Sequence, residues 1–293
     1  MAVHSINTAV IPVAGIGTRM LPATWSIEKC MLPVYVPGHT RLLVDWMVEE
    51  CAQAGLQRVI FVTTERGQRQ LRDYFEHIDS TLQDRYAHLG KSGLVEAERE
   101  RRQSYKLRYE YVIQNPGAYG TAVPPYVARE VLSGEKRFFL MGGDDFVYHQ
   151  NPLESELSLA IKTWSDAETD HVIMGKLVDR NDATKLGLLY SDNDKNLSQW
   201  VEKPKLQDIP DVPKVTVNVS RYGFSDSIWE YISEEMNTQR NGEHQMTYPV
   251  LSALSNGQTF RIHNVEGEYL GGGTTEELIN AGRYITKNPK FSI

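Results

Sequence analysis

The strongest constraint on this chain is a short apolar run, residues 8–13 (TAVIPV), that leads straight into a glycine-rich turn, with a second apolar run, RVIFVT, at residues 58–63. Neither run shows the polar alternation of a strand with one wet face, so each reads as a strand buried on both sides. Between them, residues 41–54 place Leu42, Leu43, Trp46, Met47 and Cys51 at helical spacing, and Gly55 is a C-terminal stop. Strand, helix and strand in succession, with continuously apolar strands, predict a parallel α/β sheet covered on both faces.

The rhythm continues toward the middle of the chain. Residues 107–113 (LRYEYVI) alternate like a strand, 122–132 read as a helix, and 137–141 (RFFLM) form a further strand that ends in Gly142, Gly143, Asp144 and Asp145. The polar stretch 71–106 is expected to form solvated helices, with the charge run EAERERRQ at 96–103 on an exposed face. From about residue 166 strands dominate, at 171–176, 187–190, 197–202 and 215–224. Helices are expected near 228–236 and 248–254, and a last one at 275–286. The loop after the first strand carries Pro22, Pro33 and Pro37. No repeat, low-complexity tract or flexible linker divides the chain, so one domain over residues 1–293 sharing one sheet is expected.

Charge narrows the ligands. With 31 Lys+Arg against 38 Asp+Glu the net charge is -7, which offers no general attraction for nucleic acid or an anionic membrane. Any phosphate must be held by a few local cations. Cys30 and Cys51 are too few for a disulfide framework, and no Cys/His cluster suggests zinc, so a reducing cytoplasmic setting is expected. No apolar run is long enough for a membrane span, and the N-terminal residues do not read as a signal peptide.

Four places carry chemistry. In the loop after the first strand, Gly15 and Gly17 let backbone approach a ligand, Thr18 offers a hydroxyl and Arg19 a forked cation suited to phosphate. Met20 stands at the third-glycine place of a dinucleotide fingerprint, and no Gly-Lys-Ser/Thr follows, so neither that motif nor a Walker loop is present. A phosphate loop and an ordinary tight turn both fit these residues. Lys29 lies within reach of the same loop, although most lysines only solvate a surface. Asp144 and Asp145 follow an apolar strand, where α/β sheets bind ligands and a hard oxygen suits Mg2+ on a nucleotide phosphate; a turn or helix cap is the alternative. Glu202 and Lys203 end a strand before Pro204, pairing an acceptor for sugar hydroxyls with an ammonium for phosphate, or simply forming a terminal ion pair.

In order, the loop A-G-x-G-T-R-M-L-P-A-T, Lys29 with M-L-P, Gln114 before the turn to Gly120-Thr121-Ala122, G-D-D, Leu186-Gly187, V-E-K-P-K and Arg221-Tyr222 resemble the bacterial UTP:glucose-1-phosphate uridylyltransferases. The resemblance runs from about residue 9 to 284. It implies a Rossmann-like nucleotidyltransferase fold: a mixed, mostly parallel central sheet flanked by helices, with a C-terminal α+β sugar-binding part. Residues 1–165 would then be the nucleotide-binding half and 166–293 the sugar-binding half. The implied reaction joins UTP and glucose 1-phosphate into UDP-glucose and pyrophosphate with Mg2+. By position, Ala14, Gly15 and Gln114 would meet the base, helped by the turn from Gly117 to Gly120, while Gly17 and Thr18 complete the nucleotide loop. Arg19 and Lys29 would clamp phosphates, Asp144 would hold Mg2+, and Gly187, Glu202 and Lys203 would bind the sugar and its phosphate. A homo-dimer or tetramer is implied as well.

The chain departs from that family at Trp25, where a lysine is usual, at Glu28 for a proline and at Cys30 for a glutamate. Gly271 stands where the family has a metal-binding aspartate. The expectation is therefore that Asp144 carries the metal, with Asp145 or a water in the second position. Other readings are a relative acting on dTTP or another hexose 1-phosphate, and a catalytically reduced regulator that binds nucleotide sugar.

Overall fold

The computed structural model describes residues 6–36, 40–77, 79–151 and 155–290; Pro37 of the sequence reading falls outside them. The chain begins with β1 (Thr8–Pro12), β2 (Pro33–Val34), β3 (Arg41–Leu42), α1 (Leu43–Gln53) and β4 (Arg58–Thr63). Three helices follow, α2 (Glu65–Phe75), α3 (Ser80–His88) and α4 (Ser92–Ser104), before β5 (Arg108–Ile113). Next come α5 (Val123–Ala128), β6 (Arg137–Met141), β7 (Asp145–Tyr148), α6 (Glu156–Ala167) and β8 (His171–Asp179). The later part comprises β9 (Gly187–Ser191), β10 (Leu197–Glu202), β11 (Lys214–Ser225), α7 (Ile228–Asn237), α8 (Thr247–Ser255), β12 (Phe260–Asn264), β13 (Glu268–Gly271) and α9 (Thr275–Lys287).

The central sheet has the order β10-β9-β11-β6-β1-β4-β5, with β8 paired to β11 and β12 to β8. β1 is parallel to both β4 and β6, and β4 to β5. β11 is antiparallel to β6, β8 and β9. With β12 parallel to β8 and β10 antiparallel to β9, only β10 and β11 run against the rest. This is the mixed, mostly parallel sheet that the resemblance implies.

Burial on both faces explains the continuous apolar runs. Along β1, Ala9 and Ile11 enter a core with Phe61, with Val44 and Met47 of α1, with Trp164 of α6 and with Ile285 of α9. Val10 points the other way, into a core with Ile60 and Val62, Ile232 of α7 and Val250 of α8. Alternate residues thus serve opposite helical layers, each fully buried Ile or Phe contributing about 2 kcal/mol.

Three readings need correction. The run 96–103 is not a purely exposed face: Glu98 accepts from Arg101 Nη2 at 2.6 Å and Arg102 Nε at 3.0 Å, and Arg101 reaches the buried Asp45 at 2.9 Å. A carboxylate without solvent needs counter-charge, and this run supplies part of it. The helix expected over 122–132 is the shorter α5, followed by turns. Residues between 145 and 167, left unassigned in the sequence, form β7 and α6. Leu157, Ala160 and Trp164 bury the inner face of α6. Among the described residues no helix is long and apolar enough to cross a membrane.

Candidate active site

The parallel strands β6, β1, β4 and β5 end on one edge of the sheet. The chain continues from β1 to β4 on one side, while β6 borders β1 on the other, which leaves a crevice at the strand ends where such sheets bind ligands. The loop after β1 enters this crevice. Gly17 has φ +64, and a Cβ there would lie 2.8 Å from Thr24 Cγ2, so the turn requires glycine. The Thr24 hydroxyl donates to the Gly17 carbonyl at 2.9 Å and fixes the turn. Thr18 and Arg19 follow on a 3-10 turn, both exposed, with Met20 buried as its anchor. Ala14 is half-buried, and nothing stands within 4 Å of where a Gly15 Cβ would be.

Across the crevice, β6 gives way to Gly142 and Gly143. A Cβ on Gly143 would fall 1.7 Å from the Pro12 carbonyl oxygen, so only glycine lets this segment press against the end of β1. That approach delivers Asp144. Lys29 Nζ donates to Asp144 Oδ2 at 2.6 Å, and the Gly272 N–H donates to the Asp144 carbonyl at 2.6 Å. Both side chains border a cleft of about 440 Å3, which Gly15, Gly120, Thr121, Ser220, Tyr222 and Glu243 also line. Gly120, at φ +121, forms its wall against the backbone of His244, where any Cβ would lie 2.4 Å from the carbonyl oxygen.

Asp145 does not share this position, which corrects one half of the expectation that Asp145 or a water backs up Asp144. Its carboxylate turns into the protein, accepting from Tyr269 Oη at 2.8 Å and facing Arg221 Nε at 3.5 Å. Arg221 is fully buried and donates to Glu50 Oε2 at 2.6 Å. Burial pushes the Asp145 carboxyl up to about 7, with neighbouring Asp144 adding to the effect against the pull of Arg221. Burial opposes the Arg221 charge, but Glu50 and Asp145 outweigh it and hold the guanidinium above its usual range. Asp144 therefore stands on a buried ionic platform.

The three loop departures resolve differently. Trp25 is exposed. Glu28 is buried and accepts from Thr64 Oγ1 at 2.7 Å and Arg66 Nε at 2.9 Å, so it ties the loop to the start of α2. Cys30 is buried at the cleft floor, and burial, reinforced by Glu28, pushes its thiol up to about 12, which makes it unreactive.

The remaining predicted residues lie farther out. Gln114 extends β5 by donating its N–H to Thr63 O at 2.9 Å, and its Oε1 is buried without a hydrogen-bond partner. Gly117 has φ +153 with open space above it. Gly187 pairs with Glu202 across β9 and β10, and a Cβ on Gly187 would strike Trp200 Nε1 at 2.3 Å and Glu202 Oε2 at 2.8 Å. Lys203 turns away from the strand at φ +44, its N–H held by the Leu186 carbonyl at 3.1 Å. Gln114, Gly117, Gly187, Glu202 and Lys203 do not line the cleft that holds Lys29 and Asp144. The link is Tyr222, which lines the cleft and stacks on Trp200 with ring centroids 6.1 Å apart.

Compared with known proteins, residues 8–288 match the sequence model of the family described as nucleotidyl transferase. The chain belongs to the nucleotidyl transferase family. A UTP--glucose-1-phosphate uridylyltransferase 2 from Staphylococcus saprophyticus is 27% identical over 90% of this chain and 86% of its own length. A UTP--glucose-1-phosphate uridylyltransferase from Staphylococcus epidermidis is 26% identical over 98% and 95%. Among solved structures, a UDP-glucose pyrophosphorylase from Acinetobacter baumannii superposes with TM-score 0.81 at 25% identity, covering 98% of this chain and 95% of that one. A UTP-bound form of the same enzyme gives 0.80 at 24% identity over 98% and 95%, a likeness of fold.

For a nucleotidyl transferase, several cleft residues escaped sequence reading. Ser220 sits at φ +54 where the pairing of β11 shifts register, and Glu243 belongs to a loop with no pattern of its own. Gly272 and Gly273 pack behind Asp144 from the far end of the chain. Beside Gly271, which stands where the resembled family has an aspartate, the Thr274–Glu277 spacing at the start of α9, a capping-box signature, marks that region in the sequence.

Proposed function

We propose that this chain transfers the uridylyl group of UTP to glucose 1-phosphate, forming UDP-glucose and releasing pyrophosphate. The observation that carries the proposal is the pairing of Lys29 with Asp144 in one cleft at the carboxyl ends of β1 and β6, with Arg19 Nη2 and Asp144 Oδ2 both within 3.4 Å of one point above Gly273. The choice of uridylyl and glucose rests on the names of relatives that match nine-tenths or more of the chain.

The chemistry suits these residues. A sugar phosphate oxygen is already an anion, so attack on the α-phosphorus needs no general base; the barrier lies in bringing two anions together. Arg19 and Lys29 neutralise the triphosphate and then the departing pyrophosphate as the α–β bridging P–O bond breaks. Lys203 holds the attacking phosphate, Glu202 accepts sugar hydroxyls, and Gly187 keeps the packing beside Glu202 open. Ala14, Gly15, Gly17 and Thr18 form the nucleotide loop. Gln114, whose Oε1 has no protein partner, meets the base beside Gly117 and Gly120. On this reading residues 1–165 serve the nucleotide and 166–293 the sugar, within one domain and one sheet, in a cytoplasmic homo-dimer or tetramer.

Mg2+ is the cofactor this reading calls for, and the residues fit it. Asp144 supplies hard oxygens at the cleft, and a point above Gly273 that a side chain would fill lies 3.4 Å from Asp144 Oδ2. Asp144 would hold the ion, which supplies charge neutralisation and alignment of the phosphates when bound.

Pyrophosphate release over a panel of UTP and dTTP with several hexose 1-phosphates tests the proposal. Highest kcat/KM is expected for UTP with glucose 1-phosphate. Preference for another pair overturns the assignment, and tight UDP-glucose binding with no pyrophosphate from any pair identifies a regulator instead.

A further inference from the structure

Strand β11 carries a backbone irregularity inside the cleft. Among the described residues, Lys106, Glu168, Lys195, Lys203 and Ser220 have a positive φ without being glycine. The four others are exposed and lie outside strands and helices, where such a conformation disturbs little. Ser220, at φ +54, is half-buried within β11 and lines the cleft. Glycine takes this conformation without strain and serine does not, so a serine here keeps a hydroxyl at a cost to stability.

The surroundings hold that hydroxyl in place. Asn218 Oδ1 accepts the Ser220 N–H at 3.1 Å, and the Ser220 carbonyl accepts the Gly142 N–H at 2.8 Å. Asn218 Nδ2 donates to Tyr222 Oη at 2.8 Å. Burial raises the Tyr222 phenol above its usual range, against the side chains of Asn218 and Ser220, so it stays protonated. A hydroxyl has one donor and two acceptor positions, more than this phenol alone can fill. Between Asn218 and Tyr222 the pairing with β8 shifts register, a bulge of the kind that re-aims side chains beside active sites.

The bulge also falls where β11 changes neighbour. It pairs with β9 at Val217–Leu188 and with β6 from Arg221–Met141 onward. Residues 218–220 therefore span the step between the strand that starts at Gly187 and the strand that leads to Asp144. A hexose 1-phosphate whose sugar lies beside Glu202 and whose phosphate reaches the cleft of Lys29 and Asp144 crosses these residues.

We infer that the Ser220 hydroxyl binds a hydroxyl of the hexose, which makes Ser220 a specificity-determining residue with Asn218 positioning it. This rests on the proposed uridylyl transfer, and the experiment separates the two. Pyrophosphate release is followed for the full chain, Ser220→Gly and Ser220→Ala, with UTP, glucose 1-phosphate and its monodeoxy analogues. Ser220→Gly relieves the backbone, so its Tm is expected to equal or exceed that of the unaltered chain. Its KM for glucose 1-phosphate rises about tenfold, the loss of one hydrogen bond, while KM for UTP stays unchanged. Ser220→Ala shows the same rise without a gain in Tm. One deoxy analogue, lacking the hydroxyl that Ser220 meets, is used equally well by the unaltered chain and Ser220→Gly.

An unchanged KM for glucose 1-phosphate in both variants overturns the inference. An equal rise in KM for UTP overturns it in favour of a general change of cleft shape, and so does an unchanged preference among the deoxy analogues. No pyrophosphate from the unaltered chain with any nucleotide and sugar phosphate removes the transfer reading itself, and the inference with it.

Discussion

Arg221→Met removes the only buried cation facing Glu50 and Asp145 among the described residues. Arg221 is 0% exposed and its two carboxylate partners 4% each, so solvent cannot replace the lost charge. Breaking a buried pair from one side costs about 3–5 kcal/mol. Burial already pushes the Asp145 carboxyl from its ordinary 3.8 up to about 7, so near neutrality it takes a proton at small cost and the loss falls at the lower end, about 3 kcal/mol. At roughly 2 °C per kcal/mol for a chain of this length, Tm falls by about 6 °C. The sign with pH follows from the raised pKa. A carboxyl that resists ionising in the folded state costs nothing below its unfolded value and costs most once pH has passed its folded value, and losing the guanidinium widens that gap. The deficit of Arg221→Met is therefore largest near about pH 8 and shrinks toward about pH 5, as scanning calorimetry across that range would record. An equal drop at both ends would refute a charge origin and leave lost packing as the cause. A triple variant that adds Glu50→Gln and Asp145→Asn recovers most of the Tm if the buried charges are responsible.

His171 is held neutral, its Nδ1 accepting from the Ser225 N–H at 3.2 Å and its Nε2 paired with Gln258 Oε1 at 2.6 Å, and burial lowers its pKa to about 4. The unfolded chain takes that proton near 6.5, so stability falls by about 3 kcal/mol as pH drops from 6.5 to 4, and urea midpoints for His171→Gln should show a flatter slope there. Lys29→Met should cut kcat/KM by about 100- to 1,000-fold in the pyrophosphate assay while circular dichroism stays unchanged. Gly120→Ala places a Cβ against the His244 backbone at a positive φ, costs at least about 1–3 kcal/mol in denaturant titration and raises KM for the nucleotide.

The strands at β1, β4, β6 and β10 were legible to within a residue because burial on both faces, or a proline stop, writes itself into a continuous local pattern. β7 and β13 were not, since each is four residues long and exists only through its partner. The glycine loop, Lys29 and Asp144 were legible as types of chemistry, but their meeting depends on Gly143 nesting against Pro12, which no local spacing encodes. Asp144 and Asp145 look equivalent as letters. They diverge because β7 begins at Asp145, and successive residues of an extended chain point to opposite sides. The role of Glu28 is not written in its own loop for a related reason: its partners Thr64 and Arg66 belong to another element.

The fastenings around Asp144 also set an order of events during synthesis. Its side chain meets Lys29 across 115 positions, its neighbour Asp145 meets Tyr269 across 124, and the platform beneath joins Arg221 to Glu50 across 171. A ribosome that has released the chain from β1 through β7 has delivered the glycine loop, Lys29 and Asp144 but none of the later residues that fix them. Such a nascent chain can fold much of its parallel sheet and still hold no finished cleft, so competence arrives abruptly, with the last few dozen residues. Shortening the chain before β13, which removes Tyr269 and Gly272, should leave a sheet that folds and an Asp144 segment without two of its fastenings.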